Sequence, residues 1–253
     1  MLGIERVGRV MVATLSRPPV NALDAKLIAR LDAALDDATA DPEISVLHIR
    51  SDGKTFCAGA DLALMRSCFE TPEGRDAMVE VVRCMQRLFA RLENAAVVTI
   101  AEIGGAAMGG GLELALACDL RVAAVDARLG LPEVRLGLLP AAGGTQRLTR
   151  LCGEGTAKRL ILGAELIDGA EALRLGLVQW TRPHEQLAGW CRELAVRVAG
   201  MPKAALGSGK RCIAAERDAA CNGFAAEIAA TRELYDDPET RRKVSEFLTK
   251  GTT

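Results

Sequence analysis

The sequence has few aromatic residues and few histidines, and its charges almost cancel. Of 253 residues, 3% are aromatic, two are histidine, and the net charge at pH 7 is −1. Proteins that bind nucleic acid through exposed bases combine a basic surface with interleaved aromatic side chains, which this composition does not supply. A near-neutral charge also gives no general attraction to an anionic membrane surface. The composition therefore predicts neither a nucleic-acid partner nor a membrane partner.

Disulfide and metal-site signatures are also missing. Eight cysteines are scattered singly, without a C-x-x-C pair or a Cys/His cluster at metal-ligand spacing. Only His48 and His184 could serve a serine or cysteine nucleophile, and His48 lies in a strand pattern typical of the core. We therefore expect no metal ion and no nucleophile-type hydrolase. Single cysteines are typical of reduced thiols, which favours a cytoplasmic protein.

Long apolar runs are missing as well. No window reaches the ~18 uninterrupted apolar residues of a transmembrane helix, and the first residues lack the pattern of a signal peptide. What the chain does have is a hydrophobic content of 49% over 253 residues. This amount is enough for one sizeable core with a smaller appendage.

Short strands alternate with amphipathic helices along most of the chain. Strand patterns cover residues 7–15, 44–50 and 96–103, and helical patterns cover residues 25–38, 75–92, 154–162 and 168–175. Glu102 interrupts the apolar pattern of the third strand. From residue 185 onward the pattern is helical only. The sequence therefore predicts an α/β core over residues 1–195 and a helical region over residues 196–253.

A glycine-rich stretch, GGAAMGGGLE at residues 104–113, stands before an apolar run. Glycine lets the backbone approach a ligand closely, and the good helix formers that follow predict a helix starting near Gly110. The free N–H groups at such a helix start favour an oxygen that becomes negative during a reaction. The glycine spacing matches neither a phosphate-binding P-loop nor a dinucleotide-binding loop. A second small-residue loop, FCAGADL at residues 56–62, also offers bare backbone.

Three acids in these regions allow more than one interpretation. Glu113 falls in the first turn of the predicted helix and Glu133 directly follows Pro132, so each could simply complement a helix N-terminus. Asp61 could cap a helix. From the residues alone, these roles and catalytic roles both stay open.

Four blocks together resemble the crotonase superfamily, which contains enoyl-CoA hydratases and isomerases. The order and spacing of the blocks carry the resemblance. The four blocks are Arg17-Pro18 with Asn21-Ala22-Leu23, FCAGADL at 56–62, GGAAMGGGLELALACDL at 104–120 and GLPEVRLGLLPAAGGTQRL at 130–148. The resemblance implies a spiral of ββα units followed by a helical trimerisation region. It also implies an acyl-CoA substrate, no cofactor beyond the CoA of the substrate, and a homo-oligomer that is a trimer or a dimer of trimers.

The resemblance also implies roles for individual residues. The backbone N–H groups of Ala60 and Gly110 match the oxyanion hole of the family, and Glu113 and Glu133 match its two acid/base glutamates. We assign water activation to Glu113 and proton transfer at the α-carbon to Glu133. The substrate-binding residues implied by the match are Ala58, Asp61, Leu62 and Lys250. Lys250 stands in a C-terminal segment that departs from the family pattern, where a solvated lysine is the alternative.

Retention of both glutamates favours hydration over the other reactions of the superfamily. The sequence thus predicts an enoyl-CoA hydratase that adds water reversibly, in the syn sense, to a 2-enoyl-CoA to give a 3-hydroxyacyl-CoA. The alternatives are a double-bond isomerase, or a hydratase specialised for a branched, aromatic or carnitine-type acyl group. A non-catalytic binder of acyl-CoA or RNA is a further alternative, which the low aromatic content disfavours.

Overall fold

The computed structural model of the chain describes residues 1–61, 65–66, 68, 70–218, 220–249 and the backbone of Lys250. The strands in these residues are β1 (Leu2–Val7), β2 (Val10–Leu15), β3 (Val46–Ser51), β4 (Thr55–Cys57), β5 (Val98–Ile103), β6 (Ala106–Met108), β7 (Leu120–Ala124), β8 (Arg128–Gly130), β9 (Ile167–Asp168) and β10 (Trp180–Arg182). The helices are α1 (Ala25–Ala40), α2 (Pro72–Asn94), α3 (Gly110–Ala117), α4 (Gly144–Leu162), α5 (Gly169–Arg174), α6 (His184–Ala199), α7 (Lys203–Ala215), α8 (Gly223–Asp236) and α9 (Pro238–Lys250).

Two sheets organise the first part of the chain. The larger sheet has the order β1-β2-β3-β5-β7-β10, and the smaller one has the order β4-β6-β8-β9. β1 and β2 form an antiparallel hairpin, and the remaining neighbours of the larger sheet are parallel. Parallel strands require crossover connections, which the intervening helices and the smaller sheet provide. The mixed architecture confirms the predicted α/β class.

β5 lies in the centre of the larger sheet and leads into the glycine-rich stretch. All six of its residues are buried, as expected for a parallel strand covered on both faces. After a short loop, β6 continues the chain in the smaller sheet, between β4 and β8. α3 then begins at Gly110, as predicted, and all eight of its residues are buried. The glycine-rich stretch thus links the larger sheet, through β6 of the smaller sheet, to the buried helix α3.

α4 corrects one sequence-based boundary. A helix was expected over residues 154–162, but α4 begins ten residues earlier, at Gly144. Gly153 has a non-helical conformation (φ 81°, ψ 160°) and divides the element into two halves. The helical spacing is broken at this point, which is why the pattern revealed only the second half.

The last part of the chain is helical, as predicted. α7 packs against α2 and α8, and α9 packs against α8. The expected division after residue 195 stays a prediction, and it falls inside α6. Within the described ranges, no helix combines the length and the apolar character needed to cross a membrane.

Candidate active site

Two loops meet in backbone contact at the site. One follows β4 and contains Gly59, and the other precedes α3 and contains Gly109 and Gly110. A Cβ atom at Gly59 would lie 2.8 Å from the carbonyl oxygen of Met108 and 2.9 Å from the nitrogen of Gly110. Gly59 also has a φ of +90°, which side chains rarely adopt. Glycine at position 59 is therefore required for the two loops to touch.

The N–H groups of Ala60 and Gly110 lie close to each other at this contact. A Cβ atom at Gly110 would lie 3.6 Å from the nitrogen of Ala60. Gly110 is the first residue of α3, so its N–H has no acceptor within the helix. Ala60 forms a parallel β-bridge with Leu23. The two hydrogen bonds of this bridge run from the Leu23 N–H to the Gly59 carbonyl and from the Asp61 N–H to the Leu23 carbonyl. Because N–H groups alternate along an extended chain, the Ala60 N–H points away from Leu23.

Glu113 lies in the first turn of α3 and is 2% exposed. Its Oε1 accepts a hydrogen bond of 2.7 Å from the N–H of Gly144, at the start of α4. A Cβ atom at Gly144 would lie 2.9 Å from the same oxygen, so only glycine fits beside this carboxyl. Burial raises the pKa of Glu113 to about 7, with a further contribution from the charge of Glu133, against the lowering effect of the Gly144 amide.

Glu133 begins a short 3-10 helix, Glu133–Leu136, directly after Pro132. Its carboxyl faces Gly109, where a Cβ atom would lie 2.9 Å from Oε1. Partial burial raises the pKa of Glu133 above its ordinary value. The Oε2 atom is buried and has no hydrogen-bond partner among the described residues. The structure therefore brings Glu113, Glu133 and the Gly109–Gly110 backbone together.

Comparison with known proteins assigns the chain to a family. The sequence profile of the enoyl-CoA hydratase/isomerase family matches residues 5–253. The chain belongs to this family. The match confirms the resemblance to the crotonase superfamily and the expectation of an enzyme.

Individual relatives match over nearly their whole length. The short-chain-enoyl-CoA hydratase of Clostridium acetobutylicum is 35% identical over 252 residues, which cover 98% of this chain and 94% of the relative. The 2,3-dehydroadipyl-CoA hydratase of Escherichia coli is 35% identical over 251 residues, with coverages of 98% and 96%. Among solved structures, Pseudomonas aeruginosa DspI superposes with a TM-score of 0.92 at 37% identity, covering 98% of this chain and 94% of that chain. The crotonase fold expected from the sequence is confirmed by these neighbours.

Arg147 on α4 supports the loop beside Glu113, and the sequence analysis gave it no role. Its guanidinium is 8% exposed and donates to Oε2 of Glu93 at 3.0 and 3.1 Å. Nη1 also donates to the carbonyl of Ala142, at 3.1 Å, in the loop that leads to Gly144. Arg147 thereby fixes the loop whose amide holds Glu113. The helical pattern recognised in the sequence began only at residue 154, so it gave no signal for a buried arginine at position 147.

Asn21 is a second buried polar residue whose role only the structure shows. Its side-chain oxygen accepts from the N–H of Arg17 at 2.7 Å, and its Nδ2 donates to the carbonyls of Thr55 and Phe56 at 3.0 and 3.1 Å. These bonds tie the segment before α1 to β4, which leads into the Ala60 loop. Asn21, at the end of the short Arg-Pro-Pro-Val-Asn block, therefore helps to position this loop through hydrogen bonds from its side chain to the backbone of β4.

The expected substrate-binding residues lie partly within the described structure. Ala58 donates its N–H to the carbonyl of Val20 at 3.0 Å, just before Gly59. The Asp61 carboxylate accepts from Nη2 of Arg17 at 2.7 Å, and its carbonyl accepts from the N–H of Met65 at 2.9 Å. Leu62 lies outside the described residues. Lys250 is the last residue of α9, and its side chain lies outside the described part of the chain.

Proposed function

We propose that the chain is an enoyl-CoA hydratase that adds water reversibly, in the syn sense, across the double bond of a 2-enoyl-CoA. The hydroxyl joins the β-carbon and a proton joins the α-carbon, which gives a 3-hydroxyacyl-CoA. One observation carries the proposal: the carboxyls of Glu113 and Glu133 lie beside the backbone at which the Ala60 and Gly110 amides meet. Hydratases among the relatives support the same reaction.

The two amides would act as an oxyanion hole. When water attacks the β-carbon, electron density moves through the double bond onto the thioester oxygen, which becomes an enolate oxygen. The N–H groups of Ala60 and Gly110 would donate to that oxygen, and they stabilise it more than the ground-state carbonyl. Loss of one such donor typically lowers kcat by about 10²–10³-fold. The fixed loop contact at Gly59 supports this role, because the donors need no rearrangement during the reaction.

The two glutamates would exchange protons with water and substrate. Glu113, ionised, accepts a proton from the attacking water, and Glu133, protonated, gives one to the α-carbon. Hydration thereby transfers one proton to Glu113 and one proton from Glu133, and the two carboxyls must return to their starting states between turnovers. Burial raises the pKa of both carboxyls, most clearly that of Glu113, which supports two groups that can take up and release protons during the reaction. The unpartnered Oε2 of Glu133 is free to face a ligand.

Substrate binding follows from the same proposal. The CoA thioester would lie along the loop that contains Ala58 and Asp61, with its carbonyl oxygen at the two amides. CoA is part of the substrate, and the reaction as proposed uses no further cofactor.

The chain would act as a homo-oligomer, either a trimer or a dimer of trimers. The C-terminal helices support this state, because large apolar side chains are exposed on them: Ile213, Phe224, Ile228, Tyr235, Phe247 and Leu248. Large apolar side chains that are exposed in a single chain are often buried in an interface with another chain. Analytical ultracentrifugation tests the state, and a monomer at micromolar concentration would contradict it.

A spectrophotometric assay tests the proposed reaction. Conjugated enoyl thioesters absorb in the ultraviolet, and hydration removes this absorbance. We expect wild-type protein to hydrate crotonyl-CoA or a longer 2-enoyl-CoA, with the ratio of rates reporting on the acyl pocket. Glu113→Gln and Glu133→Gln keep the shape of each side chain and remove its proton exchange, so kcat should fall by about 10²–10⁴-fold in each variant.

Three outcomes separate the alternatives. Hydration with loss of activity in both variants supports the two-glutamate mechanism. Hydration that persists in either variant contradicts the assigned roles while leaving the activity intact. A wild-type protein that binds CoA esters but hydrates neither substrate contradicts the activity on simple chains, and a shifted double bond in the product would identify an isomerase.

A further inference from the structure

A cluster of three potential metal ligands lies away from the candidate active site. His48, Glu102 and Cys191 each offer one ligand atom, and these atoms lie within 4.8 Å of one another. The three residues are 4%, 5% and 0% exposed. They come from β3, β5 and α6, so their separation in sequence hides them from any search for metal-ligand spacing.

The strand register explains how these residues meet. β3 and β5 are parallel, and His48 is paired with Ile100. Side chains two residues apart on a strand share a face, so Glu102 lies on the same face of the sheet as His48. α6 packs on β3 and β5 and brings Cys191 to that face. The fold itself therefore assembles an imidazole, a carboxylate and a thiol at one point.

Two polar atoms of the cluster have no hydrogen-bond partner among the described residues, whereas the Cys191 thiol is hydrogen-bonded to the Glu102 carboxylate. Nε2 of His48 and Oε2 of Glu102 are 3.0 Å apart, yet both atoms lack a hydrogen bond of acceptable geometry. Nε of Arg50 forms an ion pair of 3.9 Å with the other carboxyl oxygen, Oε1, but makes no hydrogen bond among the described residues. Buried polar atoms without partners are costly, and in native proteins an ion or a water commonly satisfies them.

The three ligand atoms are close enough to share one ion. Zinc bonds of about 2.0–2.3 Å place two ligand atoms of a tetrahedral site about 3.3–3.8 Å apart. Nε2 of His48 and Oε2 of Glu102 are 3.0 Å apart and all three ligand atoms lie within 4.8 Å of one another, so the side chains would have to adjust to reach this geometry. Imidazole, thiolate and carboxylate together suit zinc better than magnesium or calcium, which prefer oxygen ligands.

A cavity borders the cluster at His48, while Glu102 and Cys191 are not among its lining residues. It has a volume of about 260 Å³ and is lined by His48 and Arg50 on β3, by Val10 and Val12 on β2 and by residues of α6. This space is large enough for water, which commonly completes a zinc site that has three protein ligands.

We propose that His48, Glu102 and Cys191 form a binding site for a divalent transition metal ion, with Zn²⁺ as the expected ion. Nε2 of His48, Oε2 of Glu102 and Sγ of Cys191 bind the ion, and the thiol releases its proton to solvent when the metal bond forms. The ion joins β3, β5 and α6, and therefore acts on stability rather than on the proposed hydration chemistry.

Zinc binding can be measured directly. Protein freed of metal with a chelator is titrated with Zn²⁺ against a chromogenic competitor, and thermal unfolding is followed with and without the ion. We expect about one tightly bound Zn²⁺ per chain and a rise in Tm, because a ligand that binds only the folded state stabilises it. Removal of one ligand should weaken binding by at least about 10-fold, since even supporting residues around a metal contribute this much.

A matched pair of variants gives the control. Cys191→Ala and Cys118→Ala both remove a buried thiol, but Cys118 lies outside the cluster. With Co²⁺ as a spectroscopic probe, wild type and Cys118→Ala should show a thiolate-to-cobalt charge-transfer band, and Cys191→Ala should lose it. Glu102→Gln preserves shape and should lose affinity while remaining folded.

Each contrary outcome is decisive. Failure of wild type to bind Zn²⁺ above background overturns the proposal and leaves a metal-free polar cluster. Binding that is unchanged in Cys191→Ala and Glu102→Gln also overturns it, since the ion then sits elsewhere. If Cys191→Ala does not fold, the proposal is tested by the Zn²⁺ affinity of Glu102→Gln and by the thiolate-to-cobalt band of wild type.

Discussion

Replacing Glu113 with glutamine should stabilise the folded chain at neutral and alkaline pH. Burial raises the pKa of this carboxyl from 4.5 to about 7, so the folded chain holds the proton where the unfolded chain has lost it. The stability contributed by this group is therefore highest below the unfolded pKa, falls as pH rises toward the folded pKa, and is constant above it. Ionised Glu113 thus destabilises the native state above about pH 7, which glutamine avoids.

The pKa shift sets the magnitude. At 1.36 kcal/mol per pKa unit, the shift from 4.5 to about 7 corresponds to about 3 kcal/mol of destabilisation at alkaline pH. Glutamine keeps an oxygen for the Gly144 amide, so that hydrogen bond survives the change. We expect Glu113→Gln to unfold at higher denaturant concentration than wild type at about pH 8, with the advantage vanishing below about pH 4.5.

Urea unfolding at several pH values and fixed protein concentration measures the difference. Glu227→Gln serves as the control because Glu227 is an exposed acid on α8. The free energy of unfolding of this variant should match that of wild type at every pH. The reasoning is refuted if Glu113→Gln is less stable than wild type at about pH 8, or if its advantage is independent of pH.

Two further predictions concern the backbone contact and the loop that holds Glu113. Gly59→Ala should lower both the free energy of unfolding and kcat, because the added Cβ would displace Met108 and Gly110. Gly8→Ala is the control, since Gly8 also has a positive φ (+58°) but no atom within 4 Å of the added Cβ. The control should lose about 1 kcal/mol of unfolding free energy and keep full activity. Equal activity in the two variants, measured by the enoyl absorbance assay, would contradict the role of the contact. Arg147→Met should cost about 2 kcal/mol in urea unfolding and lower kcat, since Ala142 and the following loop lose their anchor. Unchanged kcat would show that the loop holds its position without Arg147.

The helix start at Gly110 and the buried strand around Ile100 were predictable because glycine, helix propensity and apolar runs act locally. Both features appear in the structure at the expected positions. The start of α4 was not predicted. The non-helical conformation of Gly153 interrupts the helical spacing, so the sequence pattern revealed only the half of α4 that follows Gly153. Local chemistry therefore defined the centre of the glycine-rich stretch better than the limits of the helix that follows it.

The candidate site could be named from the four sequence blocks, but its electrostatics could not. The pKa of Glu113 depends on burial, on the Gly144 amide and on the charge of Glu133, which tertiary packing alone brings together. Glu102 shows the same limit from the other side. Its disruption of the strand pattern was visible in the sequence, whereas its neighbours His48 and Cys191 come from separate elements and were not predictable as a group.

Hydration in D₂O, followed by NMR of the product, tests the central claim most directly. If Glu133 delivers a proton to the α-carbon on one face while water adds to the β-carbon on the same face, the 3-hydroxyacyl-CoA formed from crotonyl-CoA should carry a single deuterium at the α-carbon, in one configuration. Reversal of the reaction removes the same deuterium, so prolonged incubation should not scramble it. Deuterium in both α-positions, a mixture of configurations, or a product with a moved double bond and no hydroxyl would contradict the account.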